Sequence, residues 1–329
     1  MKGSAYALGT VIIWSLLGVV NRYCILKFDV NIIVFTSFLV FSAGVALLLI
    51  RQQVAPESWK SGVRYSWLYT IMQITKSFFM ISTYLYITTT ETSILINIEV
   101  VISYLLAYLF FKRIPHRGDY WGILVISGGF ILFIYSLSPS IRIPAVVLLL
   151  IAATASCIRS IVVEETTLKN PDTTVRQKCG ISGFTMFIAG LALIIFFFFI
   201  AILKFVIGSN LPAIFSFLHY LPTISDVLNP ATIISACIAG FFINAASVYF
   251  FYAALKWTKT ETFMAFRVFQ PALTYSFELF AAGFYTAMKP NLDIKDYLLG
   301  GFILFGSVLI LVMPTKATIN ARSKSFITE

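Results

Sequence analysis

The sequence predicts an all-α integral membrane protein of ten transmembrane helices, arranged as two inverted five-helix repeats. Three observations predict it. Of 329 residues, 59% are hydrophobic and only 12% charged, with a mean hydropathy of +0.90, more apolar surface than a soluble core can hide. The apolar runs reach the roughly 20 residues that cross a hydrocarbon layer, and they are too continuous for barrel strands. Finally, one polar hexapeptide is written twice, ITTTET at 87–92 and WTKTET at 257–262, matching at four of six positions with an offset of 170.

The ten spans fall at 5–26, 31–50, 65–87, 92–111, 119–137, 143–163, 180–205, 231–255, 262–285 and 297–313. Span one ends in NRYCILK rather than at a small-residue cleavage site, so it reads as a retained helix and not a signal peptide. The two hexapeptides join spans three to four and eight to nine, and divide the chain into a first repeat, 1–138, a second, 139–315, and a cytoplasmic tail, 316–329. Spans five and ten open alike, on Asp-Tyr followed by glycines six apart, Gly122 and Gly128 in one, Gly300 and Gly306 in the other. Such glycines let helices approach closely, which marks these two spans as packing helices. About 25 residues join spans seven and eight. Their stretch NLPAIFSFLHYLPTISD is apolar with two prolines, and a short helix resting in the outer interface is expected there.

An odd number of crossings per repeat turns the second copy upside down relative to the first, the arrangement that serves alternating access around a midplane site. Orientation follows from the Lys and Arg residues beside the spans. With the N-terminus inside, 15 lie on the inner side and 6 on the outer, leaving Lys76, Arg159 and Arg267 in or near the membrane. Both termini are therefore expected in the cytoplasm of a cell whose inner membrane holds the protein.

The net charge of +10 is explained by topology rather than by nucleic acid, for it is scattered beside spans with no clustered stripe or aromatic platform. Cys24, Cys157, Cys179 and Cys237 form no close pair, and His116 and His219 fall in loops on opposite sides. No metal site, cofactor or catalytic constellation is expected.

Charges within the bilayer are costly and usually face a polar cavity or one another. In span nine, Arg267, Gln270, Pro271, Thr274 and Glu278 share one helical face, and in span three Gln73, Lys76, Met80 and Thr83 share another. Asn97 in span four is the positional equivalent of Arg267, whereas Glu99 lies roughly 160° away around the helix. Two readings stand side by side. Glu99 pairs with Lys76 or Arg267 to neutralise both, or opposing walls form a cradle for a zwitterion. In the cradle Arg267 forks to a carboxylate, Glu99 accepts an ammonium or sulfonium, and Lys76 is a second positive anchor. Gln73, Asn97, Asn244 and Gln270 would add polar contacts, and Trp14, Tyr104 and Phe266 flat faces for stacking. Glu278 and Arg159 are read as a gate or as ion-pair partners.

The segments ALKWTKTETFMAFRVFQPALTYSFELFAAG and YLYITTTETSILINIEVVISYLLAYLFF, with Trp14-Ser15 in span one, resemble the EamA branch of the drug/metabolite transporter superfamily. The resemblance implies ten helices in two inverted repeats and a cavity lined by spans one, three, four, six, eight and nine. It also implies a secondary transporter. The charge pattern suggests amino acids or amino-acid-bearing zwitterions as cargo, with a proton or counter-substrate as the coupled species, and the resemblance implies exchange of S-adenosylmethionine for its demethylated product as one such activity. The alternative is a proton-coupled drug or metabolite exporter of the same fold, with Glu99 as its proton-binding group. The chain departs from the family pattern in its long loop, in FKRIPHR after span four, and in Val101 where the counterpart of Pro271 would stand. The missing proline predicts a straighter span four.

Overall fold

The computed structural model describes residues 2–52, 56–207, 221–290 and 292–312, and all regular structure among them is helical. Helices α1 (Lys2–Phe28), α2 (Ile32–Leu49) and α3 (Pro56–Thr83) are followed by two shorter ones, α4 (Thr89–Leu95) and α5 (Ile98–Phe111). Then come α6 (Arg117–Ser136), α7 (Pro139–Lys169) and α8 (Val175–Ile207). The last third holds α9 (Ile224–Val227), α10 (Pro230–Ile238), a π-helical turn Ala239–Asn244 and α11 (Ala245–Trp257). It continues through α12 (Thr260–Ala265), a 3₁₀ turn Phe266–Phe269, α13 (Gln270–Ala282), a 3₁₀ turn Thr286–Met288 and α14 (Ile294–Val312).

Local chemistry sets these boundaries. Asp29 takes a left-handed φ of 47° to leave α1, and the side chain of Asn31 then accepts the amides of Ile33 and Val34 to start α2. Thr88 and Glu91 form a reciprocal capping box at the head of α4. Pro139 opens α7 at a position where no amide hydrogen is needed.

Among the described residues, eight helical segments are long and apolar enough to cross a membrane. These are α1, α2, α4–α5, α6, α7, α8, α9–α11 and α14. The expected spans three and nine fall short of that measure. Span three lies in α3, whose mean apolarity is lowered by Gln73, Lys76 and their neighbours, and span nine is broken by the 3₁₀ turn. The expected interfacial helix at 210–226 lies mostly, His219 wholly, and the tail 316–329 entirely outside the described residues.

Span four is interrupted, contrary to the straightness expected from Val101. It breaks at Ile96–Asn97, where the Asn97 amide donates to the carbonyls of Ser93 (3.0 Å) and Ile94 (3.1 Å). The amides of Glu99 and Val100 bond three residues back instead of four, tightening the turn. A competing side-chain donor thus does what proline was expected to do. Span nine breaks at the equivalent place, since α4 ends at Leu95 and α12 at Ala265.

Packing is mutual and pairwise. α2 lies along α8, α6 along α14, α3 along α7, and α1 along α11 and α13, while α5 meets α7. Gly122 and Gly306 face one another across α6 and α14. A Cβ on Gly122 would stand 2.7 Å from the Gly306 carbonyl oxygen, and one on Gly306 would stand 2.9 Å from that of Gly122. Gly128 meets nothing and Gly300 meets Ile94, so only half of the glycine pattern works between these helices. Gly240, in the π-helical turn, lies so close to the Leu39 carbonyl and Ser42 hydroxyl that no side chain fits.

Candidate functional site

A cavity of about 40 Å³ sits among α1, α2, α3 and the broken span nine, lined by Trp14, Gln73, Lys76, Ser77, Arg267 and Gln270 among others. In this arrangement of the helices that volume holds a few waters. Trp14 is its floor. The Lys76 ammonium lies 4.2 Å from the Trp14 ring centre, the Arg267 guanidinium 4.3 Å, and the Arg159 guanidinium 5.4 Å. One indole therefore carries cations from α3, from α7 and from the 3₁₀ turn, each within cation–π range.

The structure joins Arg267 to Glu99, with Nη1 3.0 Å from Oε2 and both side chains almost fully buried. Ser156 on α7 donates a further hydrogen bond to Oε2 at 3.2 Å. Of the two partners the sequence left open for Glu99, Arg267 is the one in contact. The tight turn at 96–100 makes this possible, because it swings Glu99 inward while Asn97 points to its own backbone and to Ser307 on α14. Asn97 is buried away from the cavity wall.

Gln73 links the remaining polar groups. Its Oε1 accepts from Arg159 Nη1, and its Nε2 donates to Ser77 Oγ (3.2 Å) and Asn244 Oδ1 (3.4 Å). Asn244 ends the π-helical turn, whose wide ring carries this amide to the network. Ser15 donates to the Gln270 carbonyl at 3.4 Å, tying α1 to the head of α13. Tyr104 lies beside Asp119, and Phe266 begins the 3₁₀ turn; neither lines the cavity.

Beyond the cavity, each end of the bundle carries a carboxylate clamp. At one end Glu278 on α13 pairs with Arg22 on α1 (2.6 Å) and accepts the amides of Thr89 (2.9 Å) and Thr90 (3.0 Å), together with the Thr90 hydroxyl. At the other end Glu164 on α7 pairs with Arg113 (2.6 Å) and accepts the Thr260 amide (3.0 Å), while Arg113 also reaches Glu261 (3.2 Å). Burial works against the charge of Arg113, but Glu164 and Glu261 outweigh it and hold the guanidinium above its ordinary value. Sequence reasoning counted Arg22 and Arg113 among loop positives. Glu278 was read as a gate or an ion-pair partner; the signal passed over was the carboxylate of Glu164, near the end of an apolar span.

Among the described residues no group of His, Cys, Asp and Glu could hold a metal ion.

The sequence model of the EamA-like transporter family matches residues 1–135. No curated protein matches the sequence. A solved crystal structure, described only as that of a protein, covers 95% of this chain and 98% of its own, with a TM-score of 0.57 and 12% identity. At that identity the likeness shows the fold alone. Over residues 1–135 the chain is similar to the EamA-like transporter family, and its eight long apolar helical segments among the described residues fit a multi-pass membrane protein.

Proposed function

We propose that the protein is a secondary carrier that works by alternating access. It is built from ten crossings in two inverted halves, 1–138 and 139–315, with both termini on the cytoplasmic face of the inner membrane. The observation that carries this reading is the pair of end clamps. Thr90 and Thr260 are related by the offset of 170, and each heads a helix whose amide is held by a carboxylate from another helix, itself paired with an arginine. The packing supports the same inversion. Exchanging α1 with α7, α3 with α11 and α5 with α13 turns the α1–α11 contact into α7–α3, and α1–α13 into α7–α5. Two near-equivalent clamps at opposite ends of the bundle are what a carrier that opens to one side at a time needs.

The cargo in this reading bears a carboxylate, as amino acids do. Arg267 and Lys76 border the cavity as its anchors. The ammonium half of the zwitterion expected from the sequence is less well served, because Glu99 is already engaged by Arg267. The same engagement disfavours proton-coupled export, in which Glu99 must be free to meet a cation.

Side-specific labelling tests the mechanism. With the four cysteines replaced by alanine and Ser77→Cys as reporter in the cavity wall, an impermeant thiol reagent should react from the outside in Glu278→Gln and from the inside in Arg113→Ala. Labelling of both variants from one same side would refute alternating access.

A further inference from the structure

Three cations converge on Trp14, and the protein answers them with one carboxylate. Of the buried carboxylates among the described residues, Glu164 and Glu261 serve Arg113, Glu278 serves Arg22, and Asp119 caps the head of α6. Glu99 alone remains for Lys76, Arg159 and Arg267, and it lies against Arg267. Lys76 and Arg159 are left with no carboxylate inside the bundle, a surplus of two positive charges when both are protonated.

The donors are idle as well. Arg159 has Nε and Nη2 buried without an acceptor, which is one full edge of its fork, the edge that grips a carboxylate or phosphoryl group with two hydrogen bonds. Arg267 Nε is likewise unpaired. Lys76 reaches the Trp14 ring, and the hydrogen bonds and ion pairs among the described residues include none from its ammonium. Buried charge that is neither paired nor hydrogen-bonded is strongly unfavourable. A face of Trp14 offsets only part of that cost.

We propose, building on the carrier reading, that the cavity binds a small organic dianion, one carrying a second carboxylate or a phosphate monoester, and that Lys76 is the residue that demands the second negative charge. A neutral zwitterion would leave the surplus of two positive charges in place. Glu99 Oε1 is unpaired and could accept one ammonium proton, but that adds another cation to a site already in excess. A dianion removes the surplus, and on the cavity wall it gives Lys76 its counter-charge and Arg267 Nε an acceptor. Exchange of one dianion for another then moves no net charge through the hydrocarbon.

The test uses the purified full-length protein and measures binding of succinate, glycerol 3-phosphate, lactate, methionine and choline. At least one of the two dianions should bind about tenfold or more tightly than lactate, methionine or choline, and whichever dianion wins assigns the second group as carboxylate or phosphate. Lys76→Met should cut the preference for that dianion over lactate by about tenfold while still binding lactate, whereas Glu165→Gln, in the exposed pair with Lys169, should leave the preference unchanged. A merely structural Lys76 would lower both affinities alike. Tighter binding of methionine or choline, binding of neither dianion, or an intact preference in Lys76→Met would overturn the proposal. Counterflow in proteoliposomes separates it from the carrier reading. Dianion binding without exchange would leave the charge rule standing and sink the carrier, whereas methionine exchange would do the reverse.

Discussion

Arg267 and Glu99 show how a bundle keeps a charge where solvent cannot reach it. Their contact at 3.0 Å is buried on both sides, so removing one member strands the other. Arg267→Ala should therefore cost about 3–5 kcal/mol of stability, the range for breaking a buried pair. The double variant Arg267→Met, Glu99→Leu should lose clearly less, because no charge is left without a partner. Thermal unfolding of the two single variants and the double variant in detergent checks this; a double variant as unstable as the sum of the singles would show that the pair is not what holds the turn against α7. The partner of Glu99 could not be chosen from spacing, since helical periodicity fixes which residues share a face but not how two helices are rotated toward each other. Arg22 is a similar case. It lies near the end of α1 and counts as a loop charge by position, yet it is 8% exposed and paired with Glu278.

At the level of elements, spans four and nine are interrupted at equivalent positions by different chemistry. Pro271 stands in the first turn of α13, where the absence of an amide hydrogen costs nothing, while in span four the Asn97 amide occupies two carbonyls. Proline is visible in a sequence as a breaker; an asparagine is not, because its effect depends on which way its side chain turns. Asn97→Leu should let α4 and α5 merge into a regular helix and rotate Glu99 away from Arg267. The stability lost should be only about 1 kcal/mol for each hydrogen bond removed, but substrate exchange should fall far more than stability does. Exchange at the wild-type rate with an intact Glu99–Arg267 contact would refute this. Gly306→Val, by contrast, forces a branched side chain against the Gly122 carbonyl and should cost about 1–3 kcal/mol through separation of α6 and α14, read from the unfolding midpoint.

Over the whole molecule, the helical class was legible from apolar run lengths, and the packing role of spans five and ten from their repeated glycines. The polar stripes of spans three and nine were legible too. Those same stripes explain why α3 and α12–α13 lack the hydropathy of the eight segments long and apolar enough to cross a membrane, since a helix that faces a polar cavity gives up apolar residues on that side. The end clamps were not legible, because each unites three segments distant in sequence, Arg22, Thr89–Thr90 and Glu278 at one end, Arg113, Glu164 and Thr260–Glu261 at the other. In the proposed carrier their chemistry sets the mechanical balance between the two ends. Opening one end requires stripping a carboxylate from helix-heading amides, and a variant that weakens either clamp should favour the conformation open at that end.

The two clamps differ in one respect that reaches beyond geometry. At the first, the Arg22 and Glu278 side chains are 10% and 0% exposed, whereas Arg113 at the second is 25% exposed. Mobile ions screen the partly wetted pair and hardly touch the buried one. Ionic strength on the Arg113 side should therefore act as a one-sided control. Raising salt there would hasten opening toward that face, and raising it on the opposite face would change little, so the carrier would rectify flux according to the saltiness of the compartment that Arg113 faces.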